Sequence, residues 1–194
     1  MSLVLLLAVS VPSEATDYRT LADRCAELAE RYNTLAADCH VCYTKCLTTS
    51  EQYKQLIDVL NELEEDYEDL AGEAETDYWE EVCLDRVDEC EDLLRDCGDE
   101  VQACDALAEQ IQSLEKSASE KGRECRALAD QCTEEQDYDA LLSAYQTLEK
   151  AYEEMHRQYL RGQSSLRRYQ RSLRRWQDDA EDLKEELEEL EERY

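Results

Sequence analysis

A heptad repeat of hydrophobic residues is the feature of this sequence that most constrains its fold. Hydrophobic side chains recur at alternating spacings of three and four residues, with short interruptions, from Tyr18 to Tyr194. This spacing places them along one side of an α-helix and is the pattern of coiled coils. The 194 residues include only four Gly and one Pro, and no strand-like alternation. We therefore predict an all-α protein built from long heptad-repeat helices.

Apart from a three-residue phase slip at Cys104, which does not require a loop, the repeat is interrupted at two places, and these breaks divide the chain into helices. Gly72 follows the first block, where a C-terminal helix cap belongs, and Asp-Tyr pairs that suit helix starts recur every 60 residues. These pairs are Asp17-Tyr18, Asp77-Tyr78 and Asp137-Tyr138. The predicted segments are a signal peptide at 1–15, two cysteine-bearing helices at 16–72 and 77–132, and a helix rich in Tyr and Leu at 137–194.

Two architectures fit this division. The chain can fold back at about 71–77 and 133–137 into an up-down-up three-helix bundle, because short polar connections suit antiparallel neighbours. Alternatively, the breaks are only phase slips, and the chain is one extended rod of about 260 Å that pairs with a second copy. The sequence leaves this choice open, and the oligomeric state with it.

Ten cysteines occupy hydrophobic heptad positions in the first two helices, and the third helix has none. Most are separated by multiples of seven residues. Seven residues already span about 10.5 Å along a helix, which is too far for a disulfide between neighbours on the same helix. We therefore predict disulfides between helices, within one chain or between chains, with connectivity left open. The disulfide candidates are Cys25, Cys39, Cys42, Cys46, Cys83, Cys90, Cys97, Cys104, Cys125 and Cys132.

Three of these cysteines are also a weaker candidate for metal binding. Cys39, Cys42 and Cys46 lie at i, i+3 and i+7 on one helical face, and a partner helix could complete a tetrahedral thiolate site. No second ligand pair with metal-site spacing follows. Structural disulfides are therefore the preferred interpretation, and no cofactor is predicted.

Some heptad positions carry residues that are unusual in a coiled-coil core. Tyrosine is frequent there, and because it is bulky and its hydroxyl needs a partner, we expect packed rings with hydroxyls tipped towards the rim. Lys121 and Gly162 are the poorest core residues in the pattern. We expect loose packing at both.

The charge of the chain is strongly negative and unevenly distributed. A net charge of −29 argues against binding to nucleic acid or to anionic membranes. It is compatible with weak Ca²⁺ binding, although no EF-hand loop is present. An Arg-rich block at 157–175 departs from this acidity, and we expect it to dock on an acidic block of a neighbouring helix or molecule. The predicted assembly interface is Arg157, Arg161, Arg167, Arg168, Arg171, Arg174 and Arg175.

The N-terminal apolar run indicates where the protein acts. Residues 2–11, followed by Pro12, resemble a short secretory signal peptide with a cut before Thr16. The run is too short to span a bilayer. Together with the ten cysteines, this run predicts that the protein is secreted or is located in another oxidising compartment.

The sequence contains no motif typical of an enzyme. No nucleophile–base pair, phosphate loop or zinc-protease motif is recognisable, and His40 and His156 are the only histidines. We predict a secreted or envelope-associated structural protein, a homo-oligomer or filament that builds a fibre, matrix or spacer stapled by disulfides. The alternative is a disulfide-braced binding or adaptor module that presents an acidic surface to a receptor or cationic partner. In heptad pattern alone the chain resembles coiled-coil rods such as tropomyosin and myosin tails, which implies no functional residues.

Overall fold

The computed structural model describes residues 14–74, 76–132 and 137–192, and these form three long α-helices. The helices are α1 at Glu14–Glu73, α2 at Asp77–Gln131 and α3 at Tyr138–Glu191. No strand occurs in the described ranges. The prediction of an all-α protein is therefore confirmed. Residues 1–13 of the predicted signal peptide lie outside the described part of the chain.

The N termini of α2 and α3 are capped by side chains. Thr76 caps α2, because its Oγ1 accepts a hydrogen bond of 3.4 Å from the backbone N–H of Trp79. Asp77 is therefore the first residue of α2. The prediction that Asp77 caps this helix is wrong. Asp137 does cap α3, because its Oδ1 accepts hydrogen bonds of 3.1 and 3.4 Å from two backbone N–H groups of the first turn.

Two predicted end signals lie inside a helix. Asp17 does not begin α1, because the helix already starts at Glu14. Gly72 does not end it, because the helix continues to Glu73. A glycine close to a helix end can remain helical when no left-handed cap follows.

The described residues divide between two compact units, and every helix contributes a segment to each. Of these residues, the first unit takes in 14–37, 115–132 and 137–157, and the second takes in 38–74, 76–114 and 158–192. In each unit, the residues that contact one another show the relative direction of the helices.

In the first unit, α1 and α3 run in the same direction. The ring centroid of Tyr18 lies 5.3 Å from that of Tyr138, and the centroid of Tyr32 lies 5.3 Å from that of Tyr152. Both ring pairs meet edge to face, a favourable geometry for aromatic contacts. Because residue numbers rise together along the two helices, the segments are parallel.

The α2 segment of the first unit runs against α1. The thiols of Cys25 and Cys132 are hydrogen-bonded, and Glu30 lies 3.4 Å from the guanidinium of Arg126. Residue numbers therefore fall along α2 as they rise along α1, which is the signature of antiparallel packing.

The same directions hold in the second unit. Tyr53 and Tyr67 of α1 contact α3 in ascending order, at Tyr169 and Leu183. Between α2 and α3 the order is reversed: Ile111 lies against Gly162, and Arg86 Nε lies 2.8 Å from Glu186 Oε2.

The core consists mainly of Leu, Cys, Tyr and Ala side chains, and its polar members are hydrogen-bonded. Thr49 and Ser50 are buried, with 1% and 2% of their surface exposed. Thr49 Oγ1 donates to the backbone oxygen of Lys45 at 2.9 Å, and Ser50 Oγ donates to Asp105 Oδ1 at 2.7 Å. Among the described residues, no buried side-chain nitrogen or oxygen lacks a partner, which is the usual condition of a well-formed core.

Gly162 marks a close approach of α2 and α3, and the prediction of loose packing there is wrong at the glycine itself. A Cβ added at Gly162 would lie 2.7 Å from Cδ1 of Ile111 and 3.3 Å from Cδ1 of Leu107. Beside this contact lies a cavity of about 530 Å³, whose lining includes both side chains, Leu114 and Arg161. The missing side chain thus allows one close contact and leaves unfilled space next to it.

At Lys121 the packing is open, as expected. A cavity of about 400 Å³ is lined there by Lys121, Leu128 and Leu148, among others. The ammonium group of Lys121 remains on the surface and lies 2.7 Å from Oε2 of Glu124.

Candidate functional site

All ten cysteines lie in the core and carry free thiols. Their exposed fractions are between 0% and 4%, and no two sulfur atoms lie at disulfide distance. The structure therefore does not contain the disulfides predicted for Cys25, Cys39, Cys42, Cys46, Cys83, Cys90, Cys97, Cys104, Cys125 and Cys132. The physical reason is that a disulfide requires two cysteines opposite each other, with their Cβ–Sγ bonds converging within a narrow range of geometries. A heptad position places a cysteine in the core, but the relative translation and rotation of the helices decide whether a second cysteine meets it in that geometry.

Two pairs of thiols are in direct contact. Cys25 and Cys132 meet between α1 and α2 in the first unit, and Cys42 and Cys46 meet one turn apart on α1 in the second. Burial raises the pKa of Cys25 to about 12. The hydrogen bond from Cys46 lowers the pKa of Cys42, and the same bond together with burial raises the pKa of Cys46.

Four further core thiols, which lie outside these two pairs, are poor nucleophiles. Burial raises the pKa of Cys97 and Cys104 to about 12, and that of Cys90 and Cys125 to about 11. A reactive cysteine needs exposure and a pKa near or below neutrality, because the thiolate is the attacking species. These cysteines therefore act as small hydrophobic side chains that fill the core.

The candidate metal ligands do not form a site. Within the described ranges, no group of three or more Cys, His, Asp or Glu side chains is arranged to hold a metal ion. Cys39, Cys42 and Cys46 share one side of α1, as their spacing predicts, but among the described residues they are not part of a ligand set for a tetrahedral site.

Three buried tyrosines connect α1 to α3 in a way that the sequence did not reveal. Each hydroxyl donates a hydrogen bond of 2.6 to 2.7 Å to the backbone oxygen of the residue 116 positions later. The pairs are Tyr32 with Leu148 in the first unit, and Tyr53 with Tyr169 and Tyr67 with Leu183 in the second. A helical carbonyl can accept this bond because its oxygen has a second lone pair.

These three tyrosines correct the prediction that hydroxyls tip towards the rim. Tyr32, Tyr53 and Tyr67 are 0% exposed. Burial, the largest cause, raises the pKa of all three hydroxyls above the ordinary value of 10. They remain neutral donors at any physiological pH.

All seven arginines of the predicted assembly interface are exposed. Arg157 lies 2.8 Å from a glutamate one turn away on its own helix. The guanidinium groups of Arg168 and Arg175 lie over the rings of Tyr169 and Trp176, at 5.0 and 5.6 Å from the ring centroids. These distances are within the range of cation–π contacts.

Three members of this block form a stripe on α3. Arg167, Arg171 and Arg174 are four and three residues apart, a spacing that places them on one side of a helix. Arg167 Nη2 donates to Gln163 Oε1 at 3.2 Å, and Arg171 Nε donates to the backbone oxygen of Arg167 at 3.3 Å. Over the described part of the chain, none of the three makes an ion pair. Together with Gln170 they line a shallow groove of about 420 Å³.

Comparison with known proteins adds no family. No protein-family model matches the chain, and no curated protein and no solved structure is significantly similar to it. None of the helices in the described ranges has an apolar stretch long enough to cross a bilayer.

Proposed function

We propose that this protein is a structural coiled-coil protein that assembles with further copies of itself. The observation that carries this proposal is the exposed Arg-rich block, whose stripe of Arg167, Arg171 and Arg174 makes no ion pair with the described residues of its own chain although the net charge of the chain is strongly negative. An exposed charge cluster that its own chain leaves unpaired is suited to binding a surface of opposite charge.

The proposed bundle is the up-down-up arrangement of three heptad-repeat helices. It is supported in each unit by the parallel contacts of α1 with α3, and by the antiparallel contacts of α2 with its neighbours. The helix breaks support it as well, because α1 ends at Glu73, α2 begins at Asp77 and α3 begins at Tyr138. Short connections of this kind suit antiparallel neighbours.

A structural role also agrees with how the chain uses its chemically versatile residues. The thiols are all buried, the pKa of most of them is raised by that burial, and three tyrosine hydroxyls are bonded to backbone oxygens. Side chains that carry chemistry in an enzyme are here part of the packing. Disulfide staples are not part of this proposal, because the thiols are free.

We also propose that the protein assembles outside the cytoplasm, as a secreted or envelope-associated protein. This rests on the resemblance of residues 1–15 to a signal peptide. The free thiols weaken the separate argument from cysteine content. The assembled form that we propose is a fibre, matrix or spacer, because a heptad-repeat bundle supplies a surface along which copies can associate laterally.

The proposal is tested by sedimentation velocity of the full chain across protein and salt concentrations, with electron microscopy of the largest species. We expect association that grows with protein concentration and weakens with salt, since exposed ion pairs are screened. A wild-type monomer under all conditions would overturn the proposal and favour the alternative, an acidic binding module.

A charge-matched pair of variants locates the effect. The test variant replaces five arginines with Glu: Arg167, Arg168, Arg171, Arg174 and Arg175. The control variant makes the same change in charge at five other exposed basic residues: Arg19, Lys54, Lys116, Arg123 and Lys150. We expect the first variant to lose association and the second to keep most of it. Equal losses would mean that net charge, and not the Arg-rich block, controls assembly.

A further inference from the structure

The outward face of α3 carries two charge clusters of opposite sign, one after the other. We call Arg167, Arg171 and Arg174 the basic triad, and Asp178, Asp182 and Glu185 the acidic triad. Successive members are three or four residues apart throughout, so all six lie along one side of the helix. All six side chains are exposed. None of them makes an ion pair with another described residue.

This face is directed away from the core of the second unit. Trp176 lies two residues after Arg174, on the opposite side of the helix, and is only 5% exposed. Leu183 and Leu187 continue the buried side, with 3% and 5% exposed. Packing within the unit therefore uses one side of α3 and leaves the two triads on the other.

The order of the triads makes the face complementary to a reversed copy of itself. We propose that two chains pair through this face, with their α3 helices antiparallel and related by a twofold axis near residue 176. Arg174 then faces Asp178 of the partner subunit, Arg171 faces Asp182 of the partner subunit, and Arg167 faces Glu185 of the partner subunit. The twofold axis repeats each contact, as in any isologous interface.

Charge selects both the direction and the partner. Parallel, in-register pairing would place like charges opposite each other, which is unfavourable. A nucleic acid or an anionic membrane could bind the basic triad, but the acidic triad directly beside it would repel them. A partner that satisfies both triads must carry both signs in reversed order, and a second copy of this chain does so by symmetry. The remaining acidic surface opposes pairing less, because charges more than about 8 Å apart are largely screened at physiological salt.

The inference rests on the proposed self-association and specifies its surface and geometry. The interface is polar and has no apolar centre. We therefore expect pairing to be weak and dependent on salt, and to gain strength only where many copies associate along an assembly.

The test is sedimentation equilibrium of the full chain in three charge variants, with circular dichroism to confirm that each is folded. The first reverses the basic triad (R167E, R171E, R174E), and the second reverses the acidic triad (D178K, D182K, E185K). The third combines all six substitutions. We expect each single reversal to weaken dimerisation at least about tenfold, and the combined variant to restore it, because the swapped face is again self-complementary.

A mixture of the two single-reversal variants gives a second, independent result. One variant presents a wholly acidic stripe and the other a wholly basic stripe, so we expect them to form a one-to-one heterodimer although each alone is monomeric. Failure of both the combined variant and the mixture to associate would overturn the proposed pairing.

Direction is tested by spin labels introduced at Ser164 through an unnatural amino acid, which avoids the native thiols. In the antiparallel dimer the two labelled positions lie 24 residues apart along the helix axis, about 36 Å. A distance of about 10 Å would indicate parallel pairing and overturn the proposal. Wild-type association that none of the triad variants changes would overturn this surface but leave self-association standing, whereas a wild-type chain that never associates would overturn both.

Discussion

The hydroxyl of Tyr53 donates a 2.7 Å hydrogen bond to the backbone oxygen of Tyr169, and both residues are buried. Tyr67 makes the same bond to Leu183 at 2.6 Å. In the second unit these two bonds set which turn of α1 lies beside which turn of α3. A slip of one helix along the other would break both and leave two buried hydroxyls without an acceptor, which is costly.

Replacing Tyr53 with Phe should therefore destabilise the protein although the ring stays in place. We expect the free energy of unfolding in urea to fall by about 1 kcal/mol, the usual net contribution of one hydrogen bond. Tyr67→Phe should have a similar effect, and the two should be additive, because the sites are well separated. Tyr78→Phe is the control, because Tyr78 is 65% exposed. Equal effects at all three positions would contradict this role for the hydroxyls.

Stability should decrease at alkaline pH because of the core thiols. Burial raises the pKa of Cys97 and Cys104 from 9.0 to about 12. The folded state therefore holds these protons where the unfolded state releases them. The resulting stability is fully present below about pH 9 and is lost as pH rises towards 12. Urea midpoints measured from pH 7 to about 10.5 should fall above about pH 9. They should fall less in a Cys97→Ala, Cys104→Ala variant. An unchanged slope in that variant would show that other groups control the effect.

The cysteines should be protected from thiol reagents until the protein unfolds. All ten are buried, so an aromatic disulfide reagent should modify them only through opening of the helices. We expect slow labelling of the native protein. In denaturant, we expect ten thiols per chain to react, each releasing one equivalent of the coloured aromatic thiolate. Ser119→Cys places a thiol at an exposed position and should react at once. Fewer than ten equivalents from unfolded, unreduced protein would indicate disulfides after all.

Two glycines in helices should respond differently to alanine. A Cβ at Gly98 meets nothing within 4 Å, so Gly98→Ala should stabilise the protein by about 0.5–1 kcal/mol through helix propensity. At Gly162 the new Cβ would lie 2.7 Å from Cδ1 of Ile111, and that side chain must move. We expect Gly162→Ala to be about 1 kcal/mol less favourable than Gly98→Ala in urea unfolding.

A double-mutant cycle checks the reason for this difference. Ile111→Val removes the atom that the new Cβ would meet, so Gly162→Ala should be better tolerated in that background than in the wild type. Additive effects of the two substitutions would mean that contact with Ile111 does not limit the site.

The helices could be predicted because their signals are local. The signals are the alternating three- and four-residue spacing of hydrophobic residues and the scarcity of glycine and proline. Both are properties of short stretches of sequence and do not depend on which helices pack together. The cap at Thr76 was missed because a neighbouring aspartate, Asp77, is an equally good cap by residue type. Thr76 and Asp77 are distinguished only by where the first helical turn begins, which the structure shows through the hydrogen bond from the Trp79 backbone N–H to Thr76 Oγ1.

The contacts between helices could not be predicted, because they depend on distances that no single helix determines. A cysteine at a heptad position is compatible with a disulfide or with a buried thiol, and the outcome depends on whether the packing of the helices brings a second cysteine opposite it in disulfide geometry. In the same way, the acceptor of the Tyr53 hydroxyl depends on the relative translation of α1 and α3. Gly162 was predicted to pack loosely because it has no side chain, yet that absence is what lets Ile111 approach.

The distribution of tryptophan between the two units has a practical consequence. The chain has two tryptophans, Trp79 and Trp176, and both belong to the second unit. Trp176 is buried, and its ring centroid lies 5.7 Å from that of Tyr53. Because both tryptophans belong to the second unit, tryptophan fluorescence reports the melting of that unit. Circular dichroism reports the loss of helix in both units. Superimposable curves from the two probes would establish that the units unfold as one cooperative system.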